Sequence, residues 1–67
     1  MNVNTLIGVM YATTSVNIYD IEDGFYRYSV YEGYVYNIPD EYLERDIDHI
    51  DSETESIAII LESEEVC

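Results

Sequence analysis

Ile57-Ala58-Ile59-Ile60-Leu61 is the stretch that decides how this chain folds. A strand with one wet face alternates apolar and polar residues. An unbroken apolar run of this length fits a strand covered on both faces, and therefore a central one. Working back from it, Ser52-Glu53-Thr54-Glu55 is polar turn chemistry. The segment before that, Asp46 to Asp51, reads as a strand hairpinned onto Ser56–Leu61. Leu43, Ile47 and Ile50 also fit a helical stripe, which would carry a helix through residues 45–51 to Ile50; the strand is the preferred reading.

Further toward the N-terminus, Val16-Asn17-Ile18-Tyr19-Asp20 alternates as a half-buried strand does. Glu22-Asp23-Gly24 is a turn, and Phe25 to Tyr31 alternates again, so the pair predicts a β-hairpin. In that register Tyr26, Tyr28 and Val30 share one face, and Phe25, Arg27, Ser29 and Tyr31 the other. Glu32-Gly33 breaks the strand, with Tyr34-Val35-Tyr36 continuing it after a bulge. Between the hairpins, Asn37 to Glu44 predicts a short helix with Pro39 in its first turn and Asp40 and Glu41 where a helix dipole favours anions. Asn4 is a candidate N-cap for a helix over Asn4–Ala12, whose Leu6, Ile7, Met10 and Tyr11 form a stripe that Thr13-Thr14 ends. The expected architecture is α+β: an N-terminal helix and a short second helix on a three- to four-stranded antiparallel sheet. Residues 1–67 form one small acidic domain, with 62–67 a frayed tail.

A chain of 67 residues buries only about 60% of the surface it exposes when unfolded, so its apolar residues are committed to the core. Little remains to line a deep substrate pocket. Charge is the loudest feature: fifteen Asp and Glu against Arg27 and Arg45 alone, a net of −13. Like charges on one small body oppose compaction. Solubility asks for a magnitude of only about 2 to 8 in a small domain, and the excess points to a use for the charge itself. A hydrophobic fraction of 48%, with eight tyrosines and one phenylalanine, argues for a folded domain rather than a disordered acidic tract. Phosphate backbones need Lys and Arg, so direct nucleic-acid binding is excluded as an expectation, and anionic membranes would repel the chain. A single cysteine, Cys67, makes no intrachain disulfide, and no segment reads as a signal peptide or membrane span. The expected location is the bacterial cytoplasm.

Catalysis finds little support. The one His and one Cys are poorly placed to pair, since Cys67 is the last residue. Among fifteen acids, neighbouring carboxylates arise by chance and carry no signal. No cofactor is expected. Divalent metal is an open alternative, with Asp46, Asp48, His49 and Asp51 as weak candidate ligands. The run departs from a calcium loop, which wants Gly where Asp51 stands, and a solvated charged strand explains it equally. Tyrosine supplies wide contact area at low rotamer cost. Tyr26, Tyr28, Tyr34 and Tyr36, interleaved with Glu22, Asp23, Glu32, Asp40, Glu41 and Glu44, would make a surface suited to Arg-rich partners. Alternate side chains on a strand lie about 6.6 Å apart, close to the spacing of successive phosphates. A carboxylate-lined sheet could thus occupy a groove built for a nucleic-acid backbone.

Val16–Asp20, Tyr31-Glu32-Gly33, Ile38-Pro39-Asp40-Glu41-Tyr42-Leu43, Ile47–Ile50 and Ile57–Leu61 together resemble a family of short proteins carried by Firmicutes phages and integrative elements. The likeness covers most of the chain and implies a mobile-element origin and the helix-plus-sheet order above. By type, the chain also resembles phage-encoded anti-CRISPR proteins and DNA mimics, which block the nucleic-acid channels of defence nucleases. No motif is shared across that class, so it carries no residue roles. The expected partner is a basic host protein, a nucleic-acid-binding nuclease such as Cas9. The alternative is a structural module that forms homo-oligomers through an edge strand.

Overall fold

The computed structural model describes residues 1–22 and 26–62, Glu22 by its backbone alone. The chain runs α1 (Val3–Ile7), β1 (Ser15–Glu22), β2 (Tyr26–Tyr34), a 3-10 turn (Val35–Asn37), α2 (Asp40–Leu43), β3 (Ile47–Ser52) and β4 (Ile57–Leu61). The strands form one sheet in the order β2-β1-β4-β3. The fold is α+β. Asp23, Gly24 and Phe25, and the expected tail beyond Glu62, lie outside the described residues.

β4 is central, and both of its faces are covered. Ile57, Ile59 and Leu61 face the helices; Ala58 and Ile60 face the other way and are 4% and 0% exposed. Burial on both sides is why five consecutive apolar residues suit this strand and no other in the chain. Against the expectation of a wholly antiparallel sheet, β1 and β4 run parallel, with Val16 opposite Ile57 and Tyr19 opposite Ile60. Each hairpin is antiparallel within itself. The two hairpins meet through like-directed strands because residues 35–46 cross over one face of the sheet between them. That crossover carries Val35, Ile38 and Leu43, whose burial on the sheet drives it. The core is Val3, Val16, Ile18, Val35, Ile38, Ile59 and Leu61, with Leu6, Ile7, Met10, Tyr42 and Ile47 packed around it.

Several local expectations are corrected. The first helix is shorter and starts earlier than Asn4–Ala12: Asn2, not Asn4, is its N-cap, its Oδ1 accepting from the Thr5 backbone N–H (2.8 Å) and hydroxyl (2.9 Å). It stops at Gly8, where Val9, 86% exposed, offers no burial to extend it. Asn37–Glu44 is not one helix. Ile38 precedes a proline and is held extended (φ −60°, ψ 125°), which separates the 3-10 turn from α2 and leaves Pro39 as an N-cap rather than a first-turn residue.

The break expected at Glu32-Gly33 is absent; β2 runs through to Tyr34. Its irregularity lies earlier, where Ile18 faces Tyr31 but Tyr19 faces Ser29, so Val30 is the extra residue. That bulge reverses the alternation, and Tyr31 joins the face of Tyr28 instead of opposing it. Tyr31 then folds over Gly33, its hydroxyl donating to the Tyr34 carbonyl at 2.6 Å. A Cβ on Gly33 would sit 2.8 Å from that hydroxyl. The preferred strand reading for 46–51 holds as β3, Ile47–Ser52.

Candidate functional site

The sheet's two edge strands differ in chemistry. β2 carries aromatic surface: Tyr26 stacks on Tyr28 (centroids 6.4 Å apart), and Tyr34 stacks on Tyr36 of the 3-10 turn (5.6 Å). All four rings are solvent-exposed. The opposite edge is acidic. Asp46, Asp48 and Asp51 run along β3, with Glu53 and Glu55 in the β3–β4 turn and Glu62 after β4; a further three acids, Asp40, Glu41 and Glu44, stand on α2 in the crossover. All of these side chains are exposed, and Glu32 is the one exposed carboxylate described on β2.

The expected mixture of tyrosines and acids is spread over several elements. Glu32, Tyr34 and Tyr36 come together on the β2 side, whereas Asp40, Glu41 and Glu44 lie on α2, in the crossover between β2 and β3. Glu22 ends β1, its backbone opposite Tyr26. Asp23 lies outside the described residues.

Where the two chemistries meet, a cleft of about 410 Å³ opens on the face away from the helices, lined by Ser15, Asn17, Glu32 and the turn Glu53–Ser56. Asn17 is its buried anchor, 8% exposed. Its Oδ1 accepts from the Ser29 hydroxyl at 2.6 Å, and its Nδ2 donates to the Tyr19 hydroxyl at 3.0 Å and to Glu32 Oε2 at 3.3 Å. Tyr19 in turn donates to Glu53 Oε2 at 2.9 Å, and Ser56 donates to Glu53 Oε1 at 3.1 Å. The β3–β4 turn is thus tied across β4 to β1. The hydrogen bond to the Glu53 carboxylate, with some desolvation, holds the Tyr19 hydroxyl above the usual phenol range.

No protein-family model, curated protein or solved structure matches this chain.

The candidate metal ligands do not converge. Asp48 falls at an irregularity in β3 and pairs with the Nδ1 of its neighbour His49; Asp46 bridges to Asn2; Asp51 lies further along, opposite Ala58. Among the described residues no three His, Cys, Asp or Glu side chains are arranged to hold a metal ion. Among the same residues no helix is long and apolar enough to cross a membrane.

Two features escaped the reading of the sequence. Glu53 and Glu55 looked like turn residues, and only the parallel β1–β4 pairing brings their turn beside Asn17 and Glu32. Asp20 was not among the candidate residues. It sits on the helix-facing side of β1, where Arg45 grips it with two bonds, Nη1 to Oδ2 at 3.1 Å and Nη2 to Oδ1 at 3.0 Å. Arg45 Nη2 also donates to the Glu62 carbonyl at 3.2 Å. Both side chains are about 15% exposed (15% and 16%). The guanidinium, aided by the Ile21 backbone N–H and opposed by desolvation, holds the Asp20 carboxyl below its ordinary range. Its place in the alternation, on the face of Val16 and Ile18, is the one local sign of it; the partner Arg45 is far along the chain.

Proposed function

We propose that this chain is a non-enzymatic inhibitory binding protein of a phage or mobile element, which covers a basic nucleic-acid groove on a host defence nuclease with its acidic surface. A CRISPR effector such as Cas9 is the kind of target this reading names. The observation that carries it is the run of exposed carboxylates between Asp40 and Glu62, set against a chain with two basic residues, of which Arg45 is held by Asp20. Such an array raises association rates with basic surfaces and selects against acidic ones. Arginines lining the groove would meet carboxylates here, and the stacked tyrosines on the β2 side offer ring faces to the rim.

The test is cleavage by a purified CRISPR nuclease, measured with added protein across a salt series. Inhibition that competes with DNA, weakens as salt rises, and is lost when Asp40, Glu41, Glu44 and Asp46 are changed together to their amides supports the reading. Binding that ignores both salt and those substitutions refutes it.

A second reading rests on a different observation. β2 is a nine-residue edge strand with Tyr26, Tyr28 and Tyr34 exposed, and such an edge can pair with a second copy. Light scattering separates the two: a stable oligomer without affinity for a basic nuclease supports the structural module.

A further inference from the structure

The outer edge of β3 is already half used. Met1 to Val3 lies along its beginning as an antiparallel partner: Val3 N–H donates to the Arg45 carbonyl at 3.0 Å, Ile47 N–H donates to the Met1 carbonyl at 2.9 Å, and Asn2 bridges Asp46. Among the described residues the pairing stops there, and Asp48 to Ser52 continue without it.

The ladder settles which backbone groups face out beyond that point. Glu62 N–H donates to the Asp46 carbonyl at 2.9 Å. Alternate residues of β4 therefore turn their backbone groups toward β3, among them Ile60 and Ala58. Their partners are His49 and Asp51, so Ile50 turns its N–H and C=O outward. Ser52 does the same, its N–H reaching the Asp51 carboxylate at 3.3 Å. The Ile50 side chain, 46% exposed on the helix-facing side, lies beside this open rail.

We propose that the open half of the β3 edge, Asp48–Ser52, is a strand-addition site for an extended, basic segment of the partner. The inference rests on the acidic-recognition reading above and names where and how that partner is held. A chain that adds here gains main-chain hydrogen bonds with Ile50 and Ser52 and an apolar contact with the Ile50 side chain. The choice of occupant follows from charge. Asp46, Asp48, Asp51 and Glu53 flank the rail and are all exposed. Charged side chains on an edge are a usual block to self-pairing. Here the block is one-sided: it repels a second copy of a chain of net charge −13 and attracts a strand bearing Lys and Arg.

The probe is a synthetic peptide alternating Val with Lys and Arg, blocked at both ends. Its control is an isomer of equal charge with alternate Val replaced by Pro, which cannot donate to a ladder. Affinity is measured at low salt, with amide exchange read residue by residue. The alternating peptide is expected to bind at least about tenfold more tightly than the Pro isomer, a difference of about 1.4 kcal/mol, and to slow exchange at the Ile50 amide. In the full chain, Ile50→Pro removes an outward-facing donor without touching the β3–β4 ladder, and is expected to abolish the peptide's preference over its isomer.

Equal binding of the two peptides, no binding of either, or protection along Tyr26–Tyr34 instead of Ile50 overturns the proposal. If Ile50→Pro unfolds the protein, the peptide pair and the exchange map still decide it. The acidic-recognition reading fails separately. Nuclease inhibition that survives Ile50→Pro but is lost on carboxylate neutralisation sinks the edge site alone, whereas salt-independent inhibition sinks the broader reading.

Discussion

Asp20 and Tyr19 are neighbours on β1 that point to opposite faces, and each makes a bond whose strength depends on pH. Asp20 is paired with Arg45 while largely shielded from water. Its folded pKa lies below its ordinary 3.8, so its contribution is fully present above that value and is lost as pH falls through the lower, folded one. Asp20→Asn is expected to cost about 2 kcal/mol at neutral pH, the range for a hydrogen-bonded charged group. It should also remove the part of acid destabilisation below about pH 4 that belongs to this group; urea unfolding at several pH values measures both. Tyr19 behaves in the opposite sense. Its raised pKa means that its bond to Glu53 is intact below the ordinary phenol value and is lost as pH climbs through the folded one. Tyr42, raised by burial and then by its bond to Glu41, is a second late-titrating phenol. An ultraviolet titration of the tyrosinate band should show both late components, with Tyr19→Phe removing one and leaving the other. Neither residue's role was legible beyond its place on a strand, because their partners, Arg45 and Glu53, are far away in sequence.

At the scale of elements, legibility followed the strength of the local signal. β4 and the strand preference for 46–51 came through because an unbroken apolar run and a polar turn leave few alternatives. Ile59, fully buried between β1 and β3, is the test of that assignment: Ile59→Ala is expected to cost about 3 kcal/mol from lost burial and the cavity left behind. Calorimetry or denaturant unfolding reads it, and a cost under about 1 kcal/mol, the level of a surface substitution, would mean the strand is not central. The short helices came through only in outline. α1 has so little stripe to bury that its cap decided its extent, and Asn2 competed with Asn4 for that role. Pro39 was read as a helix starter, yet its stronger effect was on Ile38, which it holds extended. The Val30 bulge left no mark in the alternation, since β2 is aromatic on both faces and either register looks acceptable.

The whole molecule is governed by charge. With fifteen acids and two arginines, its self-repulsion outweighs attractions such as the Asp20–Arg45 pair that salt could weaken. Raising salt from low to physiological concentration is therefore expected to stabilise the fold by about 1 kcal/mol, seen as a melting point higher by about 5 °C. A melting point that falls with salt would show attraction, not repulsion, to be the larger global effect. The amount of charge and its sign were plain from composition, as were the presence of a packed core and the pairing of each hairpin, because counts and short-range periodicity survive in one dimension. Two things were decided only in three dimensions: the parallel junction of β1 with β4, and the placing of the tyrosine-bearing β2 and the aspartate-bearing β3 on opposite edges of the sheet. Both depend on how a crossover lays its apolar residues on the sheet. That is a contact between segments distant along the chain, and no local pattern records which hairpin edges it brings side by side.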